Sequence, residues 1–377
     1  MSGKVLGAMF AIVAVLLNRD HLHTLFYKPH PLASVAVISY PDLLSNTTSS
    51  SSTDALIFSS MSQFGFFYVT NVTDFSAEEE LEYLKMFFAL GDEVKMRLAV
   101  RKHDPRNSNV YRGYGPVVEG TGTQYKEMFN IGPHEYDVMG EESPNEYDKY
   151  DNSTESEGDL ARLKRISKEG NVWPETGDET FDRKFKALFK KGLQTRQRIA
   201  RETIRSIGRS LGHPELIDRF TESEFSTLGL RRYPVRKTVQ EAMNSAVDNV
   251  TLSELEHEDS TVTILTTFNY TGLQVLYDGK YWDAPPSGNG FIINIGTLIE
   301  DIADGSILAV RHRVKQMDFI RHSIPYFHNP SFDADISKSI SDRQTKAGSE
   351  NYSIFGEWMR QYLPLVEPGI LQDKIVD

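Results

Sequence analysis

From Ser226 to Phe327 the chain is written in short β-rich runs, STLGLRRY, STVTILTTF, GLQVLY, GFIINI, SILAVRHRV and RHSIPYF, separated by Gly, Pro, Asn and Asp. Runs of that length, rich in β-branched and aromatic residues and bounded by turn formers, predict an antiparallel barrel or sandwich. Ahead of them Phe185, Leu188, Phe189, Leu193, Ala200, Ile204, Ile207 and Leu211 recur at helical spacing. The spacing predicts a long helix over Phe181 to Leu211, with this stripe in the core and Lys and Arg on the other, solvated faces. Earlier still, residues 35–40 (VAVISY) and 64–70 (FGFFYVT) read as strands, and residues 46–53 as a Ser/Thr-rich connector ahead of a helix. Ser76 followed by Glu79 is a capping box, after which Leu81, Leu84, Phe87 and Phe88 keep a helical period. The architecture is thus an α/β N-terminal part, helices, and then a β-barrel that should carry the chemistry.

Composition narrows that chemistry. The chain of 377 residues holds 53 acidic against 41 basic side chains, a net charge of -12, which disfavours nucleic acid and acidic membrane surfaces as partners. There are no cysteines, so a disulfide scaffold, a thiolate metal site and a cysteine nucleophile are excluded, and any metal must be held by nitrogen and oxygen. Between Glu135 and Asp159 lie ten acidic residues and one basic, read as a solvated loop or insertion. Val5 to Leu17 is an apolar run too short to span a bilayer, which takes roughly 20 residues. It is either a helix packed on the surface or a targeting segment. Six N-x-S/T sequons, at Asn46, Asn71, Asn152, Asn249, Asn269 and Asn351, favour a secretory route, whereas the lack of cysteine gives no sign of an oxidising compartment. The cytoplasm is the favoured location and the secretory pathway the alternative.

His257, Glu258 and Asp259 stand at the entry to STVTILTTF. On an extended backbone His257 and Asp259 project to one face and Glu258 to the other. A third ligand is expected from another strand of the same sheet, and His312, in LAVRHRV, is the best placed. Two histidines and a carboxylate are the ligand set of non-haem Fe(II) oxygenases, which leaves coordination positions open to a co-substrate and dioxygen. His213-Pro214-Glu215 is set aside because Pro214 marks a helix stop, and His322 is assigned a structural role. Arg321 and Ser323 lie two apart on what should be the strand neighbouring His312, sharing a face suited to gripping a small dicarboxylate. The competing reading of that pair is a salt bridge to a surface carboxylate.

Taken in order, VAVISYPDL, FGFFYVTN, KEMFNIG, NVWP, STLGLRRYP, HEDSTVTILTTFNYTGLQVLYDGKYWDAPP, GFIINIGTLIEDIADGSILAVRHRV and RHSIPYFHNP resemble the 2-oxoglutarate and Fe(II) dependent dioxygenases of the isopenicillin N synthase-like group. The resemblance covers roughly Val35 to Leu363 and implies an α+β fold, a double-stranded β-helix (jelly-roll) core with a backing long helix and an N-terminal α/β extension. It divides the chain into an apolar N-terminal extension (1–34), an N-terminal region (35–160) and a third part (161–377) holding the backing helix, the jelly-roll core (226–330) and a C-terminal helix. His257, Asp259 and His312 then match the iron ligands, Arg321 and Ser323 the pair for the far carboxylate of 2-oxoglutarate, and Tyr233 a tyrosine that bonds the co-substrate. Arg231 stands where relatives commonly carry Asn, adding a cation to the pocket, and Thr271-Gly272 replaces a Gly-Gly hairpin. The implied activity is oxidation, foremost hydroxylation, of a small organic molecule, with Fe(II), 2-oxoglutarate and O2 consumed or bound and ascorbate as an accessory reductant. Alternatives are an oxidase or cyclase that dispenses with 2-oxoglutarate and a non-catalytic binding module on the same fold. The substrate should meet Asn109 to Tyr114, Lys126 to Asn130 and Phe355 to Tyr362, with Tyr114 and Phe129 either pocket walls or buried aromatics. A monomer without nucleic acid or a stable membrane span is expected.

Overall fold

The computed structural model describes residues 30–45, 50–118, 125–135, 155–221, 225–236, 246–247, 250–337, 352–367 and 369–371, so the apolar run at Val5 to Leu17 and most of the acidic segment lie outside the described residues. The chain divides into two units, Met1–Ser34 and Val35–Asp377. In the first, residues 30–34 form a turn closed by Ala33 N donating to His30 O. All that follows concerns the second.

Two sheets build it. The larger runs, in spatial order, β1 (Val37–Ser39), β2 (Phe66–Thr70), β11 (Phe291–Ile295), β8 (Val262–Thr266), β13 (Arg321–His328), β5 (Thr227–Tyr233), β4 (Glu127–Ile131) and β3 (Gly113–Gly115). The smaller runs β10 (Lys280–Asp283), β9 (Leu273–Tyr277), β12 (His312–Lys315), β7 (Val250–His257) and β6 (Ala246–Val247). Every pairing is antiparallel except β1 with β2, where the N-terminal extension adds its strands to the edge of the larger sheet. The expected jelly-roll is therefore present, with a cavity walled by residues of both sheets.

Five helices matter to that core: α1 (Ser50–Phe64), α2 (Ala77–Phe88), α3 (Glu155–Ser167), α4 (Glu179–Leu211) and α5 (Phe355–Val366). Helix α4 is the backing helix. It starts because Asp178 caps it, accepting from the backbone of Thr180 and Phe181, and stops at Gly212, whose φ of 75° closes the last turn. Phe181, Phe185, Phe189, Ile199, Ala200, Ile204 and Ile207 are buried against β8, β13 and α2, and Phe185 stacks on Phe87 at 5.1 Å. Ser76 accepts from Glu79 N at 3.2 Å, as the capping pattern predicts. Among the described residues no helix is long and apolar enough to cross a membrane.

Several boundaries differ from the sequence expectation, each for a local reason. Helix α1 begins inside the Ser/Thr connector, at Ser50, because serine and threonine are tolerated in a first turn. Residues 155–159, placed in the acidic loop by charge alone, open α3. Residues 306–311 are not strand, since Leu308 N donates to Met61 O and Val310 N to Ile295 O instead of to a ladder partner. Nor are all basic side chains of α4 in water: Arg196, four residues from Gly192 and from Ala200, falls within the apolar stripe and is completely buried. Its two terminal nitrogens donate to both oxygens of Glu80 on α2, at 2.8 and 2.6 Å, and Nη2 also donates to Thr266 Oγ1 on β8 at 2.7 Å. Gly192 is required for this approach, because a Cβ there would stand 2.3 Å from Glu80 Oε1.

Removing one side of a buried pair strands the other charge, so Glu80→Ala is expected to destabilise the protein by about 3–5 kcal/mol. Replacing both partners, Glu80→Leu with Arg196→Met, should cost much less, and urea unfolding midpoints of the single and double variants measure the difference.

Candidate functional site

The two histidines meet because β7 and β12 pair in register, His312 opposite His257. Their ring centroids lie 4.4 Å apart. Asp259 comes from the segment in which the chain leaves β7 in the smaller sheet and enters β8 in the larger, so H-x-D spans the strand exit of β7 rather than only the entry of β8. Asp259 Oδ1 is 3.8 Å from His257 Nε2 and Oδ2 is 3.9 Å from His312 Nε2. One ligand atom from each residue falls within 4.8 Å of the others, the one such cluster of three found among the described residues.

Protonation suits a divalent cation. His257 Nδ1 sits 2.8 Å from Leu255 O and His312 Nδ1 sits 3.0 Å from Val310 O. A carbonyl can only accept, so each Nδ1 donates to it, and Nε2 is the ring nitrogen that each histidine turns toward Asp259. Burial lowers the pKa of His312, with the neighbouring His257 adding to the effect. Burial alone would raise the Asp259 carboxyl, but His312, His257, Thr263 and Asn294 outweigh it and hold the group below its ordinary value. Asn294 Nδ2 donates to Oδ2 at 2.7 Å. Two imidazole nitrogens and one carboxylate are the donor set that Fe(II) takes, and they line a cavity of about 680 Å³.

Arg321 and Ser323 line the same cavity, but from the other sheet. The sequence spacing puts them beside His312; instead β13 pairs with β5 and β8, because the loop after Lys315 carries the chain across the jelly-roll before Arg321. The pair therefore faces the histidine strands across the cavity. Arg321 is 2% exposed; its Nε donates to Thr271 O at 3.1 Å, next to Gly272, which supplies the positive φ of that hairpin. Its guanidinium lies over the Tyr233 ring at 5.0 Å, and Nη1 is buried with no hydrogen-bond partner. An orphaned cationic donor in a cavity wall fits an anionic ligand. Against the salt-bridge reading, no described carboxylate lies at ion-pair distance from Arg321, and Glu254 acts on it only from farther away.

Tyr233 lines the cavity with its hydroxyl on Glu254 Oε2, 3.1 Å away, and Glu254 also pairs with Lys126. Burial opposes ionisation of Glu254, yet Lys126 and His257 drive its pKa well below the usual range. Sequence reasoning missed Glu254. Alternation places it on the face opposite His257, but β7 bulges between the two, three residues on β7 matching two on β12, and both turn to the cavity. Of the expected substrate walls, Tyr111, Lys126, Met128, Met359 and Tyr362 do line it. Tyr114 and Phe129 are buried aromatics, and Asn109 is spent on Gly170 O. His213 is remote from the cavity, paired with Glu215.

Between Arg321 and Ser323, His322 points the other way, into the protein, where burial lowers its pKa to about 4. The unfolded chain binds this proton near pH 6.5 and the folded chain does not, so stability is fully present above that pH and falls between about pH 6.5 and 4, by on the order of 1–3 kcal/mol. The expected outcome is that His322→Phe flattens this part of the pH dependence of the urea midpoint.

Residues 232–330 match the 2OG-Fe(II) oxygenase superfamily, and residues 35–156 match the N-terminal region of non-haem dioxygenases of the type found in morphine synthesis. Isopenicillin N synthase of a Flavobacterium species is 28% identical over 308 residues, covering 79% of this chain and 86% of that protein. 1-Aminocyclopropane-1-carboxylate oxidase 3 of Arabidopsis thaliana is 39% identical over 98 residues, covering 25% and 30%. Among solved structures, a full-length Neurospora crassa protein in complex with alpha-KG superposes with a TM-score of 0.66 at 21% identity, over 87% of this chain and 95% of that one. JOX2 in complex with 2OG, Fe and JA gives 0.58 at 19% identity, over 87% and 84%.

Proposed function

We propose that this chain, which belongs to the 2OG-Fe(II) oxygenase superfamily and is an oxidoreductase working with Fe(II) and 2-oxoglutarate, hydroxylates a small organic molecule in the cavity between its sheets. His257 Nε2, His312 Nε2 and the Asp259 carboxylate would hold the iron. Arg321 and Ser323 would take the far carboxylate of the co-substrate. The observation that carries this assignment is the unpartnered, buried Arg321 Nη1 in the wall facing the histidine strands. When bound, iron and 2-oxoglutarate together supply the activation of O2, with succinate and CO2 as by-products.

The protein's own part is positioning and exclusion of water. The carbonyls of Leu255 and Val310 fix the tautomer and tilt of the two rings, and Asn294 fixes one oxygen of Asp259, leaving the other carboxylate lone pairs for the metal. Tyr362, on α5, donates to the carbonyl of Glu258 at 3.0 Å and holds the segment between the two first ligands. Met359 and Leu363 from the same helix close the cavity with apolar surface.

With Fe(II), 2-oxoglutarate and a panel of small molecules, succinate release should fall at least about a hundredfold in His257→Ala, and metal affinity about 10- to 100-fold in Asn294→Ala. Equal succinate from wild type and His257→Ala would overturn the metal assignment. Arg321→Ala should raise the KM for 2-oxoglutarate about 10- to 100-fold, the loss of a charge-assisted pair. Turnover of a substrate without succinate would transfer Arg321 and Ser323 to a substrate carboxylate.

A further inference from the structure

Away from the triad the cavity extends over β5 and β4, where it meets Arg231, Lys126 and Glu367. Arg231 stands opposite Ser323 in the β5–β13 pairing and is 5% exposed. Its guanidinium lies over Gly229, where a Cβ would stand 2.5 Å from Cζ, so the glycine makes its room. Nη1 donates to Asn130 Oδ1 at 2.7 Å and to Leu230 O at 3.3 Å. Among the described residues Nε and Nη2 have no partner and no carboxylate pairs with this guanidinium.

No neighbouring carboxylate of the described residues takes its free edge. Lys126 is committed to Glu254, so those two charges cancel. Glu367, just beyond α5, makes no side-chain contact of hydrogen-bond or ion-pair length with a described residue, and burial raises its carboxyl above the ordinary range in spite of Lys126 and Arg231. With iron and co-substrate in place, the formal charges of Fe(II), Asp259, 2-oxoglutarate and Arg321 also sum to zero. What remains at this end is the free edge of the Arg231 guanidinium, with no carboxylate of the described residues paired to it. Apolar surface flanks it, Met128 from β4 and Met359, Leu363 and Leu365 from α5.

We propose that Arg231 is the specificity-determining residue for a monoanionic substrate, a small carboxylic acid with an apolar body, whose carboxylate takes the unpartnered edge of the guanidinium while its body lies against Met128, Met359 and Leu363. This rests on the iron and 2-oxoglutarate reading above. A planar fork favours a carboxylate over its neutral isosteres, and the cavity volume of about 680 Å³ leaves space for a small molecule besides the co-substrate.

The test uses full-length protein under anaerobic conditions with Fe(II) and 2-oxoglutarate, whose visible charge-transfer band reports co-substrate binding. Hexanoate, phenylacetate and cinnamate, each against its primary amide, are titrated by calorimetry. At least one acid is expected to bind about tenfold or more tightly than its amide, a preference lost in Arg231→Gln, partly restored in Arg231→Lys and kept in Glu367→Gln. The band should persist in Arg231→Gln, which separates substrate binding from co-substrate binding. No acid exceeding its amide in the wild type, a test that needs no variant, overturns the proposal, as does loss of the band in Arg231→Gln. Preferential binding of hexylamine that disappears in Glu367→Gln would overturn it as well. Failure of the wild type to give the band would overturn the iron and 2-oxoglutarate reading, and this inference with it.

Discussion

Asp259 occupies the one place where the chain passes from the smaller sheet to the larger beside the paired histidines. Its side chain is shared between His257, His312 and Asn294, and its main-chain carbonyl accepts from Thr297 N at 2.9 Å. A Cβ on Gly296 would stand 2.3 Å from that carbonyl, so the glycine lets the segment after β11 close on it. Strands from both sheets thus converge on a buried residue whose ionised state is stabilised by the histidines it brings together. Moving this segment would separate the three clustered side chains and loosen the junction between the sheets at once.

The walls of the site are held by a second tier of buried charge. Arg196 ties α4 to α2 and β8, and Arg112, completely buried, donates to Thr227 Oγ1 and Ser226 O at the start of β5. Glu169 binds three successive backbone N–H groups, those of Val110, Tyr111 and Arg112, and so fixes the approach to β3. Such groups are costly to bury and each is extensively hydrogen-bonded, which is the condition under which burial is tolerated. They give the cavity a rigid back while its ligand-facing donors stay unsatisfied.

The clustering of His257, Asp259 and His312 was legible because its signal is local: two residues two apart, and a third in a β-like run that pairs back on the first. Helix α4 was legible from one period sustained along its whole length. What escaped has identifiable causes. A bulge reverses the face of Glu254, and no alternation rule anticipates it. The sheet to which β13 belongs depends on how the loop after Lys315 crosses, which side-chain pattern does not encode. Arg196 obeyed the helical period, yet its charge suggested water, and only Glu80, 116 residues away, explains its place in the core. Glu367 follows the last apolar positions of α5 and enters the cavity through tertiary packing alone.

Tyr362 joins two events that chemistry would otherwise keep apart. Its ring belongs to the cavity wall, and its hydroxyl holds the carbonyl of Glu258, the residue between His257 and Asp259. Outward displacement of α5 would have to break this hydrogen bond or draw the Glu258 segment with it. One hydrogen bond thus ties the C-terminal helix, which walls the cavity, to the strand exit that carries His257 and Asp259.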